Sequence, residues 1–220
     1  VNRKLKGGKM NVILVNGSPH AKGCTNTALE EVAKTLRAEG IETHIFQIGT
    51  KPLAGCIACK TCARTGRCTF SDCVNEFLDL AKDADGFIFG SLVHYAAAGG
   101  AITSFMDRAF YADLLGGGRS FYLKPAAAVV SARRAGTTAA LDQLNKFFAI
   151  SEMPIVSARY WNMVHGAKPE DVKKDLEGLQ NMRVLARNMA WLLKCKEAGM
   201  KAGVQFPVKE DIVLTNFIRE

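Results

Sequence analysis

The sequence predicts an α/β domain: a three-layer, doubly wound sheet of five parallel strands. Three observations carry that prediction. Short apolar runs of strand type alternate with longer stretches of helical periodicity from residue 10 onward. No internal repeat or long linker interrupts the alternation. The 220 residues, 48% of them hydrophobic, are enough to bury one large core. Five strands separated by helices imply parallel neighbours with helices on both faces.

The elements follow in order. After Met10, "NVILVNGSPH" reads as a buried strand that stops on a turn cluster. "TNTALEEVAKTLRAEG" sets Ala28, Leu29, Val32, Ala33 and Leu36 on one helical face, with Gly40 as its stop. "ETHIFQI" is the second strand and leads into a cysteine-rich insert at 55–73. Then come "VNEFLDLAKDA" as helix, "GFIFGS" as strand, "AITSFMDRAFYADLL" as helix and "PAAAVVSA" as strand. "TTAALDQLNKFFAIS" is helical and "MPIVSARYW" is the fifth strand. The last helix, Pro169 to Lys196, places Leu176, Leu179, Arg183, Ala186, Ala190 and Leu193 along one stripe. The domain is thus expected over 10–198, with 1–9 an N-terminal extension. The tail 199–220 is too apolar to hang free and is expected to pack on the domain or on a neighbouring subunit.

Composition narrows the function. No apolar run approaches the ~18 residues of a membrane span, and the basic N-terminal residues have no signal-type apolar stretch behind them. A cytoplasmic protein without a membrane partner is expected. The net charge is +8, but Lys and Arg are scattered and not interleaved with aromatics, which argues against nucleic acid and suits phosphorylated small molecules. Of seven cysteines, Cys24 and Cys195 stand alone, while Cys56, Cys59, Cys62, Cys68 and Cys73 cluster. In a chain read as cytoplasmic, such a cluster indicates metal binding or catalysis rather than disulfides.

Ligands of such sheets sit outside the carboxyl ends of the strands, so the loops there are the place to look. In "NGSPHAKGCTNT", Gly17 and Gly23 allow tight backbone, and Ser18, Thr25, Asn26 and Thr27 can donate to an anion at a helix N-terminus. Thr25 or Asn26 is equally suited to capping that helix. The loop is neither a Walker nor a Rossmann fingerprint. In "GSLVHYAAAGGAITSFMDRA", backbone groups and small side chains offer an edge to a flat aromatic ligand.

These segments resemble the NADPH-dependent FMN reductase and iron-sulfur flavoprotein group, a branch of the flavodoxin-like fold. "NGSPHAKGCTNT" is similar to its phosphate loop, and "SLVHYAAAGGAITSFMDR" to its S-P-V-Y-Y segment and F-x-D-R helix, with Leu92 replacing the usual proline and His94 a tyrosine. "SARRAGTT" and "YWNMVHG" resemble its other flavin-side loops. The resemblance implies that Ser18, Lys22, Thr25, Asn26 and Thr27 hold the FMN phosphate. It places Ser91, Leu92, Val93, His94 and Tyr95 along the ribityl chain and ring. Ser131, Ala132, Arg133 and Gly136 come from the fourth loop, and an arginine near a flavin edge can stabilise the anionic reduced form. His94 and Tyr95 are the candidates for a proton or a stacking face. Trp161, Asn162 and His165 lie on the fifth loop.

The run Cys56-x2-Cys59-x2-Cys62-x5-Cys68 has the repeated CxxC logic of thiolate cluster ligation. By resemblance it binds a 4Fe-4S cluster. Alternatives are a structural zinc, a dithiol made of Cys59 and Cys62, or free thiols in an inherited loop. Cys73 is a spare at a helix start or in the core. The implied activity is an oxidoreductase passing electrons from NADH or NADPH through FMN to a quinone, free flavin or redox protein. A non-enzymatic electron carrier is the alternative, and a zinc-stabilised binding protein without flavin the third. The insert follows the second strand, so a cluster is expected at the same edge as the flavin, exchanging electrons with its own or a neighbouring subunit. The "AFYADLLGGGRSF" segment suggests an apolar edge and a homodimer or homotetramer.

Overall fold

In the computed structural model the described residues are 8–215, 217 and 218, so most of the expected extension 1–9 lies outside them. The elements are β1 (Asn11–Asn16), α1 (Cys24–Ala38), β2 (Glu42–Gln47), α2 (Thr61–Thr65), α3 (Cys73–Asp83), β3 (Gly86–His94), β4 (Ala97–Ala98) and α4 (Gly100–Leu115). β5 (Ala126–Ala132), α5 (Thr137–Ile150), β6 (Met163–His165), α6 (Pro169–Val172) and α7 (Leu176–Lys201) complete the chain. The sheet order is β2-β1-β3-β5-β6, with every neighbour in that path parallel. The five expected parallel strands are therefore present, and β4 adds a sixth, antiparallel to the end of β3.

Strand alternation separates two cores. Ile13, Val15, Phe87 and Phe89 point to the face covered by α3, α4 and α5, where Phe77, Phe105, Phe110, Phe121 and Phe148 fill the layer. Phe110 and Phe121 stack there with centroids 4.2 Å apart. Val12, Leu14 and Ile88 point to the opposite face, packed by Leu29, Val32 and Leu36 of α1 and Met182, Leu185 and Met189 of α7. Central strands β1 and β5 are buried on both faces, which explains their unbroken apolar runs.

Three expected elements differ. The fifth strand, predicted at 153–161, is split: Ile155 bridges Ala126, and the ladder resumes only at β6. Between them Ser157 O turns away to accept from Asn188 Nδ2 at 2.7 Å, and Asn162 O re-enters to accept from Val130 N at 2.9 Å. The last helix is broken into α6 and α7 because Asp175 caps a new start, accepting from Gly178 N at 2.9 Å. Of the expected stripe Ala186, Ala190 and Leu193 are buried and Leu179 half-buried; Gly178, Met182, Leu185 and Met189 complete it, and Leu176 is exposed. Arg183 lies beside the stripe and pairs with Glu31 of α1 at 2.7 Å. Helix α1 begins one residue earlier than expected, with Gly23 rather than Thr25 or Asn26 at the cap.

The tail leaves α7 without regular structure. Lys196 Nζ lies 5.6 Å from the Phe206 ring, and Lys209 pairs with Glu152 at 3.4 Å. Val208, Ile212, Val213 and Leu214 beyond or between these ties are exposed.

Candidate functional site

The chain runs from β1 to β2 on one side and returns to β3 on the other, so the switch in strand order falls between β1 and β3. In open sheets of this kind ligands sit outside the carboxyl ends at such a switch. The loop after β1 is pinned to that switch: Gly17 N donates to Gly90 O at 2.9 Å. A Cβ on Gly17 would stand 2.6 Å from both Gly90 O and Ile102 Cβ, so only glycine allows this approach. Asn16 Oδ1 accepts from Ser18 N at 3.1 Å, and Gln47 Nε2 donates to Ser18 O at 2.7 Å. Asn16, Gln47 and Ser18 thus form one brace across β1 and β2, and sequence reasoning missed the first two.

Of the predicted phosphate-loop residues, Ser18 and Thr25 are buried, Asn26 and Thr27 half-buried, and Lys22 exposed. Ser18 Oγ accepts from His20 N at 3.2 Å. Thr25 and Ser131 hydroxyls pair at 2.8 Å, joining two predicted site residues from loops far apart in sequence. Thr27 Oγ1 donates to Gly23 O at 3.1 Å.

The β3–β4 turn brings the second group into place. His94 pairs with Ala97, and the two residues between them, Tyr95 and Ala96, have φ of 47° and 59°. Two non-glycine residues in left-handed backbone make this a strained two-residue hairpin, stabilised by its surroundings. Gly136 (φ 90°) packs directly against it, because a Cβ there would stand 2.6 Å from Ala96 Cα. Gln143 Oε1 accepts from Ala98 N at 3.0 Å, and Ser91 Oγ accepts from Gly99 N at 3.1 Å. His94 and Tyr95 stand exposed at the tip, Leu92 and Val93 are half-buried, and Ser91 and Ala132 are buried. Arg133 is exposed at the start of the β5–α5 loop. On the fifth loop Trp161 is exposed and meets Tyr160 edge-on at 4.4 Å. Asn162 is buried, and His165 N donates to Asp175 Oδ2 at 2.7 Å.

The helix starts at this edge share a property. α1, α4 and α5 begin on Gly23, Gly99 and Gly136, with no side-chain cap and no acid in the first turn. Their leading backbone N–H groups therefore have no side-chain acceptor of their own, and the macrodipoles are uncompensated there. By contrast α3 and α7 are capped by Asp72 and Asp175. An anionic group with a flat apolar body fits the uncapped edge, which is the chemistry of a flavin phosphate and ring.

The cysteine insert forms a separate recess. Cys56, Cys59, Cys62 and Cys68 line it together with Lys60, Phe70, Arg108, Tyr111 and Ala112. Left-handed backbone at Ala58, Lys60 and Gly66 curls the loop around it. Cys56 and Cys59 are exposed, Cys62 buried and Cys68 half-buried, and all are free thiols. The Thr61 hydroxyl and N–H beside Cys59 lower its thiol below the ordinary range, whereas burial pushes the Cys62 thiol up. Cys73 is the first residue of α3, its sulfur 3.8 Å from Ile48 O. Among the described residues no three His, Cys, Asp or Glu side chains converge as a ready-made metal shell. The donor set, four soft sulfurs around one recess beside a fixed cation, fits a thiolate-ligated group.

The insert leaves the sheet at the edge the sequence suggested, with Cys73 Sγ 3.8 Å from Ile48 O just after β2, and its recess reaches onto α4. The recess lies against Arg108–Ala112 of α4, about 12–18 Å along the helix from the Gly100 start at a rise of about 1.5 Å per residue. The residues that hold it in place were missed by sequence reasoning. Arg108 Nη1 and Nη2 each donate to the Asp72 carboxylate at 2.8 Å, and Asn75 Nδ2 donates to Cys68 O and Phe70 O, each at 2.9 Å. The signals were an arginine inside an otherwise buried helix and an aspartate immediately before a helical run.

Comparison with known proteins agrees with this architecture. A family profile described as NADPH-dependent FMN reductase matches residues 10–168. An iron-sulfur flavoprotein of Methanocaldococcus jannaschii is 33% identical over 194 residues, covering 84% of this chain and 98% of that protein. An iron-sulfur flavoprotein of Archaeoglobus fulgidus is 27% identical over 195 residues, with the same 84% and 98% coverage. Among solved structures, RosB with bound 8-demethyl-8-formylriboflavin-5'-phosphate superposes with a TM-score of 0.67 at 12% identity, covering 96% of this chain and 95% of that one. A flavodoxin from the domain Archaea gives 0.56 at 16% identity, covering 84% and 99%.

Proposed function

The chain belongs to the NADPH-dependent FMN reductase / iron-sulfur flavoprotein family, and from that premise we propose that it is an FMN-dependent oxidoreductase drawing on NADH or NADPH. The observation that carries this reading is the set of three uncapped, acid-free helix starts that follow the carboxyl ends of β1, the β3–β4 hairpin and β5. The α1 start, with Ser18, Lys22, Asn26 and Thr27, receives the phosphate. Thr25 acts there through its bond to Ser131, which locks the first loop to the fourth. The hairpin of Leu92, Val93, His94 and Tyr95, backed by Gly136, presents backbone groups to the ring edge. His94 and Tyr95 at its exposed tip would be open to an incoming nicotinamide, and Arg133 would offer a positive charge at the same edge.

Bound flavin supplies the hydride and electron chemistry, so no side chain need act as acid or base. In the recess, Cys56, Cys59, Cys62 and Cys68 would hold a 4Fe-4S group, which would supply one-electron transfer. The exposed side of that recess, at Cys56 and Cys59, supports delivery to a docked redox protein as well as to a quinone or free flavin. The same exposure favours, as a second reading, a carrier without turnover of its own.

Ligation by cysteine thiolates in place of disulfides suits a reducing compartment, and we propose a cytoplasmic location. Among the described residues no helix is long and apolar enough to cross a membrane. The exposed Leu114 and tail side chains support a homodimer or homotetramer, tested by the mass in gel filtration. Anaerobic purification with FMN, iron and sulfide counted per chain tests the cofactors, and steady-state NADH and NADPH oxidation with a quinone tests the activity. Bound FMN with turnover supports the enzyme. FMN without turnover supports the carrier, and protein that takes up no flavin overturns both.

A further inference from the structure

Arg108 heads the fully buried side chains by volume among the described residues, with only 1% of its surface exposed. Such a guanidinium needs partners for its donors. Nη1 and Nη2 grip the two oxygens of Asp72 at 2.8 Å each, Nη1 also reaches Ala54 O at 3.3 Å, and Phe70 stacks 4.7 Å from the guanidinium carbon. Asp72 is itself immobilised, since its Oδ1 accepts from Val74 N at 3.1 Å as the cap of α3. The fork is thereby fixed in plane and direction. Its remaining edge, Nε–H, points at Cys68 Sγ at 3.2 Å. Neutralising Asp72 requires only the two terminal nitrogens, so the third contact calls for its own account. An arginine does not release its proton, so this sulfur receives a permanent charged donor. Donors and charges around ligating sulfurs shift the potential of the group they bind.

We propose that Arg108 is the positioning and tuning residue of the thiolate recess: its Nε–H fixes the Cys68 sulfur and withdraws negative charge from it, raising the reduction potential of the iron-sulfur group. This rests on the cluster reading above. Asp72 is the counterweight, partly cancelling the cation while aiming its Nε–H. The two residues therefore pull the potential in opposite directions, which a purely structural staple does not do.

The test is a potentiometric titration of the anaerobically reconstituted full-length protein and its variants, alongside iron and sulfide content. Arg108→Gln removes the charge and the Nε–H and is expected to lower the reduced-to-oxidised ratio at a given potential about tenfold, a shift of ~59 mV to the negative for a one-electron couple. Arg108→Lys keeps the charge but loses the fixed Nε direction, and gives a smaller negative shift. It also serves if the glutamine variant does not fold. Asp72→Asn keeps a capping side chain but uncovers the cation, and shifts the potential to the positive. Full iron content with an unmoved potential in the arginine variants overturns the assignment alone, as does a shift of the same sign in Arg108→Gln and Asp72→Asn. A wild-type protein that takes up no iron and sulfide overturns the cluster reading, and this assignment with it.

Discussion

The carboxyl edge of the sheet and the cysteine recess are two sites in one domain, built by opposite means. At the edge, what faces a ligand is mostly backbone: helix starts without caps, glycines without Cβ atoms, and a hairpin in left-handed conformation. In the recess it is side chains, four sulfurs and a guanidinium, anchored by the pairing of buried Arg108 with half-buried Asp72. A backbone site is set by the strands and helices that end there, so it is assembled once the sheet forms. A side-chain site on a long insert must be tied to the core separately. Arg108 from α4, reaching Asp72, Cys68 and Ala54, supplies that tie.

The largest effect expected from breaking this division is at the sulfurs. Replacing Cys56 and Cys62 by serine together should abolish iron uptake, read as loss of the broad absorbance above the flavin bands, while FMN content per chain stays at the wild-type value. Loss of both cofactors together would show that the two sites are not independent. The next effect is at the edge. Gly17→Ala sets a methyl 2.6 Å from Gly90 O and Ile102 Cβ, neither of which is the free end of a flexible chain. A cost of about 3 kcal/mol is expected from such overpacking, with weakened FMN retention and unchanged iron content. Chemical denaturation and cofactor counts check both halves.

A smaller effect probes the link between the first and fourth loops. Thr25→Val leaves the Ser131 hydroxyl buried without its 2.8 Å partner, at a cost of about 1–3 kcal/mol. Adding Ser131→Ala should recover most of that loss, because removing both polar groups removes the unpaired one. A double variant no more stable than Thr25→Val would mean that the hydroxyls serve something other than each other.

The edge was readable in the sequence because its determinants are local. Gly17, Ser18 and Gly136 lie in the short turns that follow strands, and Thr25 in the first turn of the helix one of them opens. Even so, the pairing of Thr25 with Ser131 is a contact over 106 residues, and no local pattern marks it. The recess was half readable. Cysteine spacing announced the sulfurs, but Arg108 looked like one more charge on a helix, since its partners lie 36 and 40 residues away. The same lack of a local signal misplaced the fifth strand: "MPIVSARYW" has strand composition, yet Ser157 is drawn off to α7 and the ladder breaks. The tail, expected on the domain or on a neighbouring subunit, meets the domain through Phe206 and Lys209. Its apolar content is real, but Val208, Ile212, Val213 and Leu214 find no cover within their own subunit.

The smallest effect sharpens the comparison within the insert itself, which carries a second arginine–aspartate tie. Arg67 Nη1 meets both oxygens of Asp79 on α3 at 2.8 Å, with Lys82 Nζ on the same carboxylate at 2.8 Å. The chemistry matches Arg108–Asp72, but here the side chains are 48% exposed on both sides, against 1% for Arg108 and 29% for Asp72. Lys82 first and Arg67 second hold the Asp79 carboxyl below its ordinary value. A depressed carboxylate stabilises the fold above its unfolded pKa of about 3.9 and loses that contribution as pH falls through the folded value. Solvent screening keeps the amount below about 1 kcal/mol. Asp79→Asn should therefore lower the thermal midpoint slightly at pH 7 in low salt, and by progressively less as the solution is acidified below pH ~4 or made saline. A loss as large as the 3–5 kcal/mol expected for breaking a pair with a buried partner such as Arg108–Asp72 would mean that the surface tie, and not the inner one, holds the insert on the domain.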